Sequence, residues 1–148
     1  YLTLGAEAAK RPARIEDAET AVRGWLAQKE LRMPELVIEN GAGLSRSDRI
    51  GAENLARLLA AAFASPVMPE FVASLPLAGI DGTMKKSKSS AVGGAHLKTG
   101  TLRDASAIAG YVNGANGRRW VVVALANSDN APAARPAWDA LIDWVAGQ

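Results

Sequence analysis

Between Ala95 and Ala126 three strand-like segments, Ala95 to Leu102, Ser106 to Asn113 and Arg118 to Ala126, follow one another almost without interruption. The last two are joined by "NGANG", Asn113 to Gly117, whose Asn and Gly tolerate the positive φ of a tight reversal. This spacing commits the C-terminal half to an antiparallel meander. "WVVVALA", Trp120 to Ala126, is the most apolar stretch of the chain and is expected to be a central strand.

Helical periodicity flanks the meander. Ile15, Ala18, Val22, Trp25 and Leu26 share one helical face, and Pro12 suits the approach to it. A second helix is predicted over Gly51 to Ala64, with the stripe Leu55, Leu58, Leu59, Ala62 and Phe63, ended by Pro66. A short helix is expected from Pro69 to Ser74, and a terminal one from Pro136 to Ala146 carrying Trp138, Leu141, Ile142 and Val145. "ELVIEN", after Pro34, reads as a short strand, and "GAGLSRSD" as a Gly- and Ser-rich loop. "AGIDGTMKKSKSSAVGG", Ala78 to Gly94, lacks periodicity and reads as a flexible or extended loop. Helices, then a three-stranded meander, then a helix define an α+β class.

Composition narrows the functions open to such a chain. Its 148 residues suit a single domain with one core. Seventeen Lys plus Arg against fifteen Asp plus Glu leave a net charge of +2, too small a surplus to argue for nucleic acid. Without cysteine there is no disulfide or thiol chemistry, and with a single His a zinc site of the usual kind is nearly excluded. No run of eighteen apolar residues is present to span a bilayer. The opening "YLTLGAEAAK" has no initiator Met and no leader, and reads as the start of an excised piece.

"HLKTGTL", His96 to Leu102, carries the chemistry. Strand alternation puts Lys98 and Gly100 on one face and Thr99 and Thr101 on the other. Lys98 offers a fixed positive charge, Thr99 a hydroxyl able to bind a carboxylate, and the Thr101 amide a donor for an oxyanion. Gly100 removes a side chain where another backbone could approach. An extended peptide laid along such an edge would gain strand-type hydrogen bonds. These roles match one element of the penicillin-recognising serine enzymes, which combine S-x-x-K, S-x-N and K-T-G. Alone, the tripeptide is equally a solvated strand end.

Three segments in order carry a more specific resemblance: "VIENGAGLSRSDRIGAENLARLL" (Val37 to Leu59), "LPLAGIDGTM" (Leu75 to Met84) and "HLKTGTLRDASAIAGYV" (His96 to Val112). Together they resemble the D-alanyl-D-alanine carboxypeptidase/endopeptidase group, the class C low-molecular-mass penicillin-binding proteins. The resemblance implies the C-terminal portion of the serine β-lactamase/DD-peptidase fold and a periplasmic parent enzyme. Its partners would be peptidoglycan stem peptides and β-lactams, and neither metal nor organic cofactor is implied. Lys98 would then support an electrostatic and proton network, and Thr99 and Gly100 would bind substrate. The Thr101 amide would complete the oxyanion hole.

The resemblance also implies what is missing. No serine in the chain has a lysine three residues on, and no G-x-S-x-G elbow occurs, so the nucleophile is expected upstream and this piece alone is expected to be inactive. "SDN", Ser128 to Asn130, fits S-x-N by letter. It falls between an apolar strand and Pro132, the profile of a turn, whereas the family's S-x-N element precedes K-T-G. Arg46 of "GLSR" matches a family position lining the pocket for the substrate side chain; equally it could be a loop arginine pairing with Asp48. Arg103 is within reach of a ligand side chain, although the family often carries another polar residue there. "NGAG" replaces the family's "DGSG", keeping the turn through Asn40 and losing a carboxylate.

Asp81, Gly82 and Thr83 read as a structural turn, and Lys85, Lys86 and Lys88 as a solvated loop that could touch an anionic polymer. His96, on the Lys98 face, reads as a packed or surface residue. Two rival functions remain: a non-catalytic wall-peptide-binding module, and a β-lactamase relative, for which an acidic deacylation residue would be needed.

Overall fold

The computed structural model describes residue 7 and residues 11–148, in two compact units that divide after Asn54. The predicted stripe at Ile15 onward forms helix α1, Ile15–Gln28, whose first turn is closed by the Asp17 carboxylate accepting the Arg14 amide at 3.0 Å. Ala18 and Leu26 are buried on its inner face, while Trp25 is 46% exposed. Arg23 pairs with Glu19 one turn back and donates to the Leu36 carbonyl at 2.6 Å, holding the following chain against the helix.

"ELVIEN" does not form a strand. Its only ladder is one antiparallel bridge, Val37 with Arg49, with both N–H···O distances 3.0 Å. Beyond it the Glu39 amide turns to the Asp48 carboxylate at 2.8 Å, which closes the Gly-rich loop with a side chain in place of a ladder. Asn40 makes the turn expected of it, its side-chain oxygen accepting the Ala42 amide at 2.9 Å.

Helix α2, Ala52–Phe63, begins with its Gly51 amide and Asn54 side chain both donating to Glu35 Oε1, at 3.0 and 2.8 Å. These donors hold the Glu35 carboxyl below its ordinary range. The short helix α3 spans Met68–Ala73, as predicted within a residue.

The second unit is built on an antiparallel sheet in the order β1-β2-β3: β1 Ala95–Thr101, β2 Ala105–Asn113 and β3 Arg119–Asn127. Helix α4, Arg135–Ala146, follows a short 3-10 turn at Ala131–Ala134. Alternation divides the sheet cleanly. Ala95, Leu97, Ile108, Val112 and Val122 face α4, where Ile142 and Val145 complete the core. Tyr111, Val121 and Val123 face α2 and α3, packing with Leu59 and Val72. The Tyr111 hydroxyl donates to the Leu59 carbonyl at 2.6 Å, and its ring lies 5.3 Å from that of Phe63.

β3 pairs only with β2 among the described residues, so "WVVVALA" is not the central strand. Its apolarity has another cause: Val122 is buried in the α4 core, and Val121 and Val123 pack half-buried against the α2–α3 cluster, so the middle of the strand is covered on both faces although one edge has no partner among the described residues.

Ala78 to Gly94 is likewise not a flexible or extended loop. Gly82–Lys86 forms a 3-10 helix whose Met84 is buried in the core. The serines beyond it are tied to α4: Ser87 Oγ donates to Asp139 at 2.6 Å, and Ser89 Oγ and the Ser90 amide donate to Asp143 at 2.6 and 2.7 Å. A sequence without periodicity is fixed here by hydroxyl-to-carboxylate bonds, which no hydrophobic pattern records.

Candidate active-site edge

The site grows from the geometry of β1. At its N-terminal end the outer edge is already paired: Ala78 N donates to Ala95 O at 2.8 Å and Leu97 N donates to Pro76 O at 2.9 Å. Odd-numbered residues of β1 therefore point their amides and carbonyls outward. The Leu102 amide, bonded to Ala105 O at 2.8 Å, shows that even-numbered ones point to β2. Continuing the alternation turns the N–H and C=O of Thr99 and Thr101 toward the rim, beyond the segment Pro76 to Ala78 that covers Ala95 and Leu97. A short stretch of strand edge is thus presented where the three residues of K-T-G lie.

Lys98 projects from the face opposite Thr99, is exposed, and bends so that Nζ donates to the Thr99 carbonyl at 2.7 Å. Its ammonium therefore sits at the rim, capping an outward acceptor and blunting the edge. Thr99 Oγ1 meets Thr83 Oγ1 at 2.6 Å. Thr83 belongs to the 3-10 helix, so the segment read as a purely structural turn delivers a hydroxyl to the strand. Nothing in hydrophobic periodicity marks Thr83; the available signal was that its segment shared the family resemblance while lying sixteen residues from Thr99.

Glycine does two different jobs here. A Cβ on Gly100 would meet Ala107 Cβ at 3.6 Å, an ordinary contact, so internal packing does not demand glycine at that position. Gly110, paired with Leu97, is the one the fold requires: its φ is +151° and a Cβ would lie 2.1 Å from the His96 carbonyl oxygen. The close backbone approach expected at Gly100 occurs ten residues later, on the strand that seats β1.

Behind β1 a cavity of about 420 Å³ is walled by Thr83, Thr99, Thr101 and Ser106 on one side and by Arg135 and Trp138 of α4 on the other. Trp138 Nε1 donates to Ser106 Oγ at 2.9 Å, fixing the indole as a wall. Arg103 is exposed on the turn between β1 and β2, at the end of the rim. Arg46 lies in the first unit, exposed, its carbonyl accepting Arg49 Nη1 at 2.7 Å. Ser128 to Asn130 forms the turn before α4: the Ser128 amide is bonded to Asp104 O at 3.1 Å and its hydroxyl accepts the Asn130 amide at 3.3 Å. His96 is half-buried, with Nδ1 buried and lacking a hydrogen-bond partner. Among the described residues no cluster of His, Asp or Glu could hold a metal ion, and no helix is long and apolar enough to cross a membrane.

A K-T-G strand at a sheet edge, backed by a C-terminal helix and faced by two helices, defines the C-terminal portion of the serine β-lactamase/DD-peptidase fold. The chain belongs to the D-Ala-D-Ala carboxypeptidase 3 (S13) family, whose family model matches residues 2–148. It is 32% identical over 144 residues to the carboxypeptidase DacB of Mycolicibacterium smegmatis, covering 92% of this chain and 31% of that one. It is 37% identical over 89 residues to the D-alanyl-D-alanine carboxypeptidase of Actinomadura sp. (strain R39), 55% of this chain and 16% of that one. Among solved structures it resembles penicillin binding protein 4 of Haemophilus influenzae in complex with a β-lactam. There the TM-score is 0.77 at 24% identity, over 87% of this chain and 31% of that one. The chain thus spans about a third or less of these relatives.

Proposed function

We propose that this chain is the C-terminal part of a serine DD-peptidase that cleaves D-Ala-D-Ala or cross-link peptide bonds of peptidoglycan, and that the intact enzyme works in the periplasm. Its nucleophile belongs to an upstream segment. The serine oxygen adds to the carbonyl of the scissile bond, the terminal amine leaves with a proton, and water then hydrolyses the acyl-enzyme to regenerate the serine. A β-lactam would acylate the same serine. No metal or organic cofactor takes part.

The observation that carries this reading is the short rim of β1, where the amides of Thr99 and Thr101 turn outward just beyond the paired segment Pro76 to Ala78. A substrate strand would continue that pairing. The Thr101 amide then donates to the oxyanion that forms as the carbonyl becomes tetrahedral, and the Thr99 hydroxyl takes the terminal carboxylate. Gly100 leaves the rim open for the substrate backbone. Lys98, already at the rim, supplies the positive charge that supports the proton network of the upstream serines. The family likeness gives Arg46 a role toward the substrate side chain; at Arg103 relatives often carry another polar residue, so the likeness does not extend to it.

A fluorescent penicillin tests the reading. The intact parent is expected to retain a stable covalent label, and residues 1–148 alone are expected to take none. Rapid turnover by the parent would indicate a β-lactamase, absence of labelling a wall-peptide-binding module, and either would overturn the proposal. A covalent adduct on residues 1–148 would show that the nucleophile is not upstream.

A further inference from the structure

Thr99 cannot be considered without Thr83. A hydroxyl has one proton to give and two lone pairs to accept with. At 2.6 Å the two threonine oxygens share one hydrogen bond, and only one of them donates into it. If Thr99 donates to Thr83, its proton is spent and it presents lone pairs to an approaching anion, which repels it. If Thr83 donates to Thr99, the Thr99 proton is free to point at the anion. A bound carboxylate selects the second arrangement, giving a chain from Thr83 through Thr99 to the ligand in which each bond polarises the next.

Thr83 is built to hold its end of that chain. Its neighbour Met84 is buried in the core, and the Met84 carbonyl accepts the amides of Gly79 at 3.1 Å and Ser87 at 2.9 Å. On one side Asp81 Oδ1 accepts the Leu77 amide at 2.6 Å, and on the other Ser87 Oγ is bonded to Asp139. Gly82, at φ +48°, lies so close to Pro76 that a Cβ would meet its Cγ at 3.0 Å. The 3-10 helix is therefore fixed at both ends and through its buried side chain, and the Thr83 hydroxyl has a set position beside β1 and the cavity behind it.

We infer that Thr83 is a positioning residue that sets the Thr99 hydroxyl as a donor, and so determines preference for substrates ending in a free carboxylate. The inference rests on the DD-peptidase reading above. In this assignment Thr83 acts through Thr99, to which its hydroxyl is bonded, and has no part in bond making at the scissile carbonyl. Its loss should therefore weaken recognition of the carboxylate and leave the chemical step intact.

The test compares two probes on the intact parent enzyme: a peptide ending in D-Ala-D-Ala with a free α-carboxylate, and the same peptide as its C-terminal amide. For Thr83→Val, the ratio of kcat/KM between acid and amide is expected to fall about fivefold, the worth of one weakened hydrogen bond to a charged group. The fall should come through KM for the acid, with kcat unchanged. Thr83→Ser, which keeps the hydroxyl, is expected to restore the ratio, and guards against a general defect in folding of Thr83→Val. A Thr83→Val enzyme with the wild-type ratio, or a Thr83→Ser enzyme as impaired as Thr83→Val, would overturn the inference while leaving the DD-peptidase reading standing. Failure of the wild-type parent to hydrolyse the acid peptide would overturn both.

Discussion

Ser89 Oγ lies 2.6 Å from Asp143 Oδ1, and the same carboxylate oxygen takes the amide and hydroxyl of Ser90 at 2.7 and 3.0 Å. One exposed acid on α4 thus gathers the chain that leads into β1. The donors hold its carboxyl below the ordinary range. A group whose folded pKa is depressed adds stability that is complete above its unfolded value and is lost as pH falls through the folded one. The melting-temperature difference between wild type and Asp143→Asn is therefore expected to be constant at neutral pH and to shrink below about pH 4. The Ser90 and Ala91 amides should exchange faster in the variant. A difference that grows on acidification would contradict this assignment.

Gly110→Ala tests the seat of the K-T-G strand. With a Cβ 2.1 Å from the His96 oxygen, the two strands cannot keep their spacing. A cost of roughly 3 kcal/mol or more is expected in chemical denaturation, in the range of strain at a special backbone conformation. Protection of the β1 amides should be lost first.

Gly100→Ala should separate folding from function. Its new methyl meets Ala107 at an ordinary 3.6 Å, and replacing glycine inside a strand gains roughly 0.5 kcal/mol from reduced chain entropy. The variant is expected to melt at or slightly above the wild-type temperature. In the intact enzyme it should be acylated by penicillin about tenfold more slowly, as a misplaced substrate would be. Full acylation speed would show that the rim is not the approach path.

Tyr111→Phe removes the hydroxyl that bonds the Leu59 carbonyl in the core between the sheet and α2. About 1 to 2 kcal/mol is the expected loss, because a buried acceptor is left unpaired. Burial pushes the Tyr111 phenol up from its ordinary value, so its stabilising effect is complete below about pH 10 and falls as pH rises beyond that. Absorbance titration of tyrosinate against Tyr111→Phe checks the direction.

The elements of this fold were legible where a periodicity was buried on one side. The stripe of α2, the "NGANG" turn and the alternation of Lys98 against Thr99 all came through, because hydrophobic burial and backbone sterics act on neighbours in sequence. What escaped was set by contacts at long range. Ser89 finds Asp143, and Thr83 finds Thr99, through hydroxyls that leave no pattern in the chain. "WVVVALA" misled for a related reason: apolar residues on both faces of a strand report covered faces, and are silent on how many strands lie beside it. At the candidate site, the strand and its residues were legible from "HLKTGTL", whereas the rim's extent depended on Pro76 and Ala78 pairing with β1.

We propose that the Lys98–Thr101 edge serves acylation of a serine elsewhere in the same enzyme. The most direct measurement is the second-order rate of acylation of the intact parent by penicillin, with Lys98→Ala beside wild type. If Lys98 serves the reacting centre as proposed, loss of its charge is expected to lower that rate by about a hundredfold or more, with the melting temperature little changed because Lys98 is exposed and its ammonium bonds to the rim. Acylation of Lys98→Ala at the wild-type rate would show that the edge does not serve acylation.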